Sequence, residues 1–302
     1  MQPGRPTRLE SRLTAGRFAI TAELAPPHGT DTDRILAMAD RLSPGVDAFN
    51  VTDNQNARLR LSPVTLGHLL AERGHEVVLQ VTCRDRNRLA IQSELLGAWR
   101  LGLRNVLALT GDHMGSGDHP EAKPVFDLDS LTLIRTVGRM AEGFDLVDRP
   151  LAGAPAFFCG AAVACDQSPR PLALLRFRKK IRAGARFFQT QAIFHPASVL
   201  PFVEIARNEG VFLLGGIFIM HSRKVLEHIV NKVPGLLVPD EVRRRLESAG
   251  DVAAEGVEVA AEAMRELAAT CHGVHIMTAG REELIEAVIR KAGIPRPRPD
   301  GG

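Results

Sequence analysis

Glu23 sits near the end of an apolar run, Ile20-Thr21-Ala22-Glu23-Leu24-Ala25, that two prolines, Pro26 and Pro27, bring to a stop. Taken alone, this acid means little. Other apolar runs close in the same way, on Thr52-Asp53-Asn54-Gln55, Thr82-Cys83-Arg84-Asp85, Thr110-Gly111-Asp112-His113, Gln191 and Thr278. Taken singly, each has a structural explanation as a helix cap, a loop ion pair or a β-former. Recurrence at the ends of six runs points instead to one concave site where carboxylates, amides and several hydroxyls converge.

The elements that must position these groups follow from periodicity. Strand-like runs are predicted at Phe18–Glu23, Ala48–Asp53, Val77–Thr82, Asn105–Gly111, Phe157–Val163, Phe187–Gln191, Val211–Phe218 and Gly273–Thr278. Amphipathic stretches alternate with them: Asp33–Leu42, Ser62–Gly74, Arg86–Gly102, Asp129–Gly143, Arg170–Gly184, Pro196–Gly210, Arg223–Val233 and, last, Arg281–Gly293. Gly74, Gly102, Gly184, Gly210 and Gly293 stand where a helix end favours positive φ. Runs apolar on both faces and separated by helices indicate parallel strands covered by helices.

Eight repeats between residues 18 and 293 predict an α/β fold, a (β/α)8 TIM barrel, rather than an open doubly wound sheet. The G-x-G-x-x-G fingerprint of a dinucleotide-binding domain is missing. Two further helical stretches, Pro239–Ala249 and Gly256–Ala269, are predicted as an insertion on the flank between strands 7 and 8. The expected organisation is one barrel domain over residues 1–302, with flexible tails at 1–15 and 295–302.

With 302 residues, 45% hydrophobic and 24% charged, the chain can bury a full core. A net charge of +3 from 38 basic and 35 acidic residues describes a mixed surface, not a nucleic-acid or membrane footprint. The basic cluster Arg176, Arg178, Lys179, Lys180 and Arg182 reads as a solvated helix face with one member able to reach an anionic cofactor. The N-terminus has no apolar h-region, and the apolar stretch Val211–Met220 is too short for a bilayer, so a cytoplasmic protein is expected. Cys83, Cys159, Cys165 and Cys271 form no CxxC pair and no zinc-finger spacing. Reduced thiols are therefore expected.

After the fourth run comes Gly111-Asp112-His113-Met114-Gly115-Ser116-Gly117-Asp118-His119-Pro120, with Lys123 nearby. Glycines that admit backbone N–H groups to a ligand can cradle a phosphate, and a plain flexible loop has the same composition. No metal site is expected there, because no third, distant His or Cys completes the set.

These residues resemble the methylenetetrahydrofolate reductase family over residues 18 to 293. The resemblance rests on Glu23-Leu24-Ala25-Pro26-Pro27, Asn50-Val51-Thr52-Asp53-Asn54, Thr82-Cys83-Arg84-Asp85-Arg86-Asn87-Arg88 and Leu109-Thr110-Gly111-Asp112. Lys180-Ile181-Arg182-Ala183-Gly184-Ala185, Gln189-Thr190-Gln191 and His275-Ile276-Met277-Thr278 extend it. Gln92–Ala98 and Ala122–Ser130 are similar to the short, barrel-only bacterial form.

The resemblance implies reduction of 5,10-methylenetetrahydrofolate to 5-methyltetrahydrofolate, through FAD, or FMN in some members, reduced by NADH or NADPH. It implies Glu23 as general acid and Asp112 beside the flavin and pterin. Thr52, Thr110, Gly111 and Lys180 are implied as cofactor contacts, Gln191 on the pterin and Arg281 on the substrate side. A homo-oligomer is expected, as is a separate zinc-bearing partner subunit of the kind that serves short relatives.

Two departures bear on the flavin. Ala161-Ala162-Val163-Ala164-Cys165-Asp166 stands where many relatives carry Tyr-Pro-Glu-x-His-Pro, and Thr110 where an arginine is common. Direct hydride transfer from NAD(P)H without flavin, a pterin-binding methyltransferase-type barrel and a partner-dependent subunit are the alternative readings.

Overall fold

The alternation of β-rich and amphipathic segments resolves into a closed barrel in which each strand pairs in parallel with the next and the eighth with the first. The computed structural model describes residues 6–232 and 236–295. The strands are β1 (Ala19–Leu24), β2 (Ala48–Val51), β3 (Val77–Thr82), β4 (Asn105–Leu109), β5 (Phe158–Val163), β6 (Phe187–Ala192), β7 (Phe212–Phe218) and β8 (Gly273–Met277). The helices up to β7 are α1 (Arg8–Thr14), α2 (Asp33–Leu42), α3 (Pro63–Glu72), α4 (Arg88–Arg100), α5 (Ser130–Ala141), α6 (Arg170–Arg182) and α7 (Leu200–Asn208). Those after it are α8 (Arg223–Lys232), α9 (Asp240–Ser248), α10 (Val252–Ala268) and α11 (Ile285–Ala292). All five glycines predicted to end helices have positive φ, between 62° and 113°.

Alternation along each strand divides the core in two. Outward residues such as Ile20, Ala22 and Leu24 of β1 join the helices in one large apolar layer. Inward residues at the amino-terminal end, among them Ala19, Ala48, Val78, Leu107, Phe158, Phe187 and Leu214, form a separate cluster with Leu9 and Leu13 of α1. The N-terminal segment predicted as a flexible tail thus contains a helix over residues 8–14. Thr7 caps it by accepting from the Glu10 N–H at 3.0 Å, and its two buried leucines close the bottom of the barrel. Residues 1–5 of the predicted N-terminal tail and 296–302 of the predicted C-terminal tail lie outside the described residues.

Above this apolar floor the barrel interior turns polar. Asn50 Nδ2 donates to Gln189 Oε1 at 2.7 Å, and Gln189 Nε2 donates to Asn50 Oδ1 at 3.1 Å and to Thr21 Oγ1 at 3.2 Å. Thr21 Oγ1 lies 3.0 Å from His275 Nδ1. Burial lowers the His275 pKa to about 3, so the ring is neutral. Four strands are tied through paired polar groups, which fixes their register because misaligning them would leave buried partners unpaired.

The predicted insertion divides differently from expectation. α10 packs against both β7 and β8 as a regular member of the outer ring. It begins at Val252 because Asp251 accepts from the N–H groups of Ala253 and Ala254, both at 3.0 Å. The supernumerary helices are α8 and α9, which share a small cluster of Met220, Leu226, Ile229 and Leu246. The four cysteines are free and buried, and burial pushes the Cys159 thiol up to about 12. Among the described residues, no helix is long and apolar enough to cross a membrane.

Candidate active site

Glu23 lies in the upper part of β1, opposite Asn50 of β2 in register, and is 8% exposed. Gln55, in the 3-10 turn after β2, donates from Nε2 to Glu23 Oε1 at 2.8 Å. Burial raises the Glu23 pKa to about 7; the Gln55 hydrogen bond works against that rise and the charge of Glu282 adds to it. Near neutral pH this carboxyl group can therefore hold a proton and release it.

Asp53, another of the carboxylates expected at the mouth, is turned sideways. Its Oδ2 accepts from the Thr82 N–H at 2.8 Å and the Thr82 hydroxyl at 2.9 Å, and it pairs with Arg86. Arg86 also pairs with Glu94 of α4. Asp53 is thus a brace between the ends of β2 and β3. Arg84, only 1% exposed, holds Asp85 in a two-pronged contact at 2.8 and 2.7 Å and donates to the Asn54 carbonyl at 3.1 Å. This locks a turn in which Asn54, Asn56 and Ala57 all have positive φ, a strained arrangement that buried pairing can sustain.

The loop after β4 docks on that turn. Gly117 approaches so closely that a Cβ there would stand 1.9 Å from the Ala57 carbonyl oxygen. The Asp118 carboxylate accepts from the Leu59 N–H, both oxygens at 3.2 Å. The need for glycine at Gly117 is accordingly close packing between loops rather than room for a phosphate. His113 Nδ1 accepts from the Gly115 N–H and His119 Nδ1 pairs with Asp118. Asp112 is exposed at the mouth, and its charge reaches Arg84. Thr110 is turned to the helix beyond, its hydroxyl accepting from the Ser130 N–H at 3.1 Å.

Thr52, fully buried, presents an Oγ1 without a hydrogen-bond partner. Gln191, at the end of β6, is exposed, and Arg281, just past β8, pairs with Glu283. Lys180 reaches inward from α6 and donates from Nζ to the Ala162 carbonyl of β5 at 2.8 Å; burial lowers its pKa. The carboxyl ends of the strands therefore gather Glu23, Thr52, Asp112, Gln191 and Arg281. Thr110 and Lys180 are already engaged by the scaffold.

Three residues at the same end were missed by sequence reasoning. Asp166 Oδ2 after β5, His221 Nε2 after β7 and Glu282 Oε2 after β8 are buried without a hydrogen-bond partner. Buried polar atoms are ordinarily satisfied; Arg86 Nε, Asn105 Oδ1 and Ser198 Oγ are unpartnered as well, so the condition is not confined to this end of the barrel. A usable signal was present for Glu282, an acid three positions before the helix that follows the last strand. Asp166 and His221 carry none beyond their place after a strand.

Residues 8–293 match the family described as methylenetetrahydrofolate reductase. Methylenetetrahydrofolate reductase 2 of Schizosaccharomyces pombe is 24% identical over 241 residues, covering 74% of this chain and 37% of that one. The 5,10-methylenetetrahydrofolate reductase of Pectobacterium carotovorum is 28% identical over 217 residues, covering 70% and 67%. This chain thus matches little more than a third of the length of the yeast relative. Among solved structures, an uncharacterized protein from Clostridium thermocellum that binds two copies of 5-methyl-5,6,7,8-tetrahydrofolic acid has a TM-score of 0.61 at 16% identity. The alignment covers 95% of this chain and 98% of that one, a likeness of fold. A family match running from the first helix to the end of the last makes this chain a member of the methylenetetrahydrofolate reductase family.

Proposed function

We propose that this protein reduces 5,10-methylenetetrahydrofolate to 5-methyltetrahydrofolate, with Glu23 as the proton donor. The observation that carries the reading is a buried carboxyl group at the barrel mouth whose pKa is raised to about 7. Opening the five-membered ring breaks the bond from the methylene carbon to N10, and the electron pair leaves on N10. Glu23 supplies the proton that makes N10 a neutral amine, while the N5 lone pair forms a cationic iminium. The Glu23 carboxylate left behind and Asp112 place negative charge near that cation. Gln191 orients the pterin and Arg281 meets the remainder of the substrate.

Thr52 and Gly111, with Lys180 once released from the Ala162 carbonyl, are the residues that would hold a flavin, FAD in the first instance, and the unpartnered Thr52 hydroxyl fits a ligand with a hydrogen-bonding edge. When bound and reduced by NADH or NADPH, the flavin supplies the hydride that converts the methylene carbon to methyl. The protein's own part is to hold the pterin, exclude water and deliver the proton.

One observation favours a second reading, direct hydride transfer from NAD(P)H. Lys180 and Thr110 are engaged with Ala162 and Ser130, and the segment after β5 offers no aromatic ring or histidine through Asp166. The visible absorption spectrum of the purified protein separates the two. Flavin bands with activity support the first, and a colourless protein that oxidises NAD(P)H only with methylenetetrahydrofolate supports the second. A colourless protein inactive by itself points to dependence on a zinc-bearing partner subunit. A cytoplasmic homo-oligomer belongs to the same proposal.

A further inference from the structure

The barrel wall is irregular beside Gln191. Strands β6 and β7 run in step as far as Gln189, opposite Leu214, but the next pair is Ala192 with Gly216, so Thr190 and Gln191 together face only Gly215. This is a β-bulge, with one residue more on β6 than on β7. Alternation shifts across it. Gln189 points inward to Asn50 and Thr21, yet Ile193, which an unbroken strand would also turn inward, joins the outer apolar layer.

The Thr190 side chain completes the bulge. In an unbroken parallel ladder the Gly216 N–H would donate to a β6 carbonyl. Here it donates to Thr190 Oγ1 at 2.7 Å, and that hydroxyl donates to the Gln191 carbonyl at 2.6 Å. The ladder then resumes, the Ile193 N–H donating to the Gly216 carbonyl at 2.9 Å. Two adjacent glycines of β7 make room on opposite faces. A Cβ on Gly215 would meet Leu267 of α10 at 2.8 Å, outside the barrel, whereas one on Gly216 would stand 2.4 Å from the Gln191 carbonyl oxygen and 2.5 Å from that of Thr190. The bulged backbone therefore leans over the inner face of β7, and Gln191 is exposed while the other residues of β6 are buried.

We propose that Thr190 is a positioning residue for substrate: its hydroxyl, inserted into the ladder between Gly216 and Gln191, holds the bulge that presents the Gln191 amide to the pterin. The inference rests on the reading of Gln191 as a pterin contact. Without the hydroxyl, the Gly216 N–H and the Gln191 carbonyl lose their bridge in a buried setting, and the segment must move to pair them again.

The test is a double-mutant cycle read as affinity for 5-methyltetrahydrofolate by calorimetry, with the unfolding midpoint measured beside it. Gln191→Ala should weaken binding about fivefold or more, the worth of one hydrogen bond. Thr190→Val, close in shape but without the hydroxyl, should weaken it about threefold or more in the wild type and less than about 1.5-fold in Gln191→Ala, where the amide it positions is already gone. Thr190→Ser, which keeps the hydroxyl, should bind within about twofold of wild type. A bulge serving only to close the barrel would lower the unfolding midpoint and leave the two losses independent. Wild-type affinity in Thr190→Val, or the same loss with and without the Gln191 amide, overturns the inference. If Thr190→Val does not fold, Gly216→Ala, whose methyl group displaces the same two carbonyls, decides by the same cycle. Full affinity in Gln191→Ala, or no folate binding by the wild type, overturns the pterin reading and this inference together; a loss in Gln191→Ala without one in Thr190→Val overturns this inference alone.

Discussion

Gln55 Nε2 donates to Glu23 Oε1 at 2.8 Å across the gap between β1 and the turn after β2. The bond opposes burial, which alone would hold the proton more tightly. Gln55 thus moderates the acid. In Gln55→Ala the basic limb of the pH profile for folate reduction should move to higher pH, since Glu23 loses a donor that favours its charged form. A rate profile between pH 6 and 9 checks the direction, and a limb that moves down would remove Gln55 from this role.

Stability carries the same signature. The Glu23 pKa rises from the usual 4.5 to about 7 on folding, so the native state binds more protons than the unfolded chain between those values. Its contribution is whole below pH 4.5 and is lost as pH rises through about 7. Glu23→Gln, which mimics the neutral acid, should match the wild type near pH 4.5. It should exceed it by up to about 3 kcal/mol above pH 8. Urea unfolding of both proteins across this range measures the difference, and equal stabilities at pH 8 would contradict the burial of the group.

Asp53 should be sensitive for a different reason. Removing it leaves the buried Thr82 N–H and hydroxyl unpaired and takes a partner from Arg86. Asp53→Ala should therefore cost about 3 kcal/mol or more in denaturant unfolding. A loss below about 1 kcal/mol would mean that the brace between β2 and β3 is dispensable.

Gly117→Ala tests the loop contact. The added methyl group meets the Ala57 carbonyl oxygen, so the loop after β4 must lift from the turn after β2. Faster limited proteolysis of residues 111–123 and a several-fold fall in folate turnover are expected, with the unfolding midpoint of the barrel little changed. Unaltered proteolysis would show that the loops part without consequence.

Much of this architecture was legible because strand and helix periods alternate without ambiguity. Asp33–Leu42 and Val77–Thr82 have the same limits in sequence and structure. What the pattern could not convey was side-chain direction. Glu23 and Asp53 look alike as acids near strand ends, yet one has an amide for its partner and the other a backbone N–H, a hydroxyl and a guanidinium. Lys180 and Thr110 were expected to meet a cofactor, but their contacts here are to Ala162 and Ser130. Helix α1 escaped notice because seven residues carry too little periodicity, and its two leucines find their purpose only against the barrel floor. Glu282 was hidden for a similar reason, since burial of an acid in a charged turn depends on how β8 meets β1.

If Glu23 provides the proton that opens the folate ring, its loss must slow the reductive step itself. Anaerobic rapid mixing of the reduced protein, or of protein with NAD(P)H, with methylenetetrahydrofolate measures that step in wild type and Glu23→Gln. The variant should be slower by about 10²–10⁴-fold, with 5-methyltetrahydrofolate affinity held within about threefold, under 1 kcal/mol. Folate reduction at the wild-type rate by Glu23→Gln would contradict it.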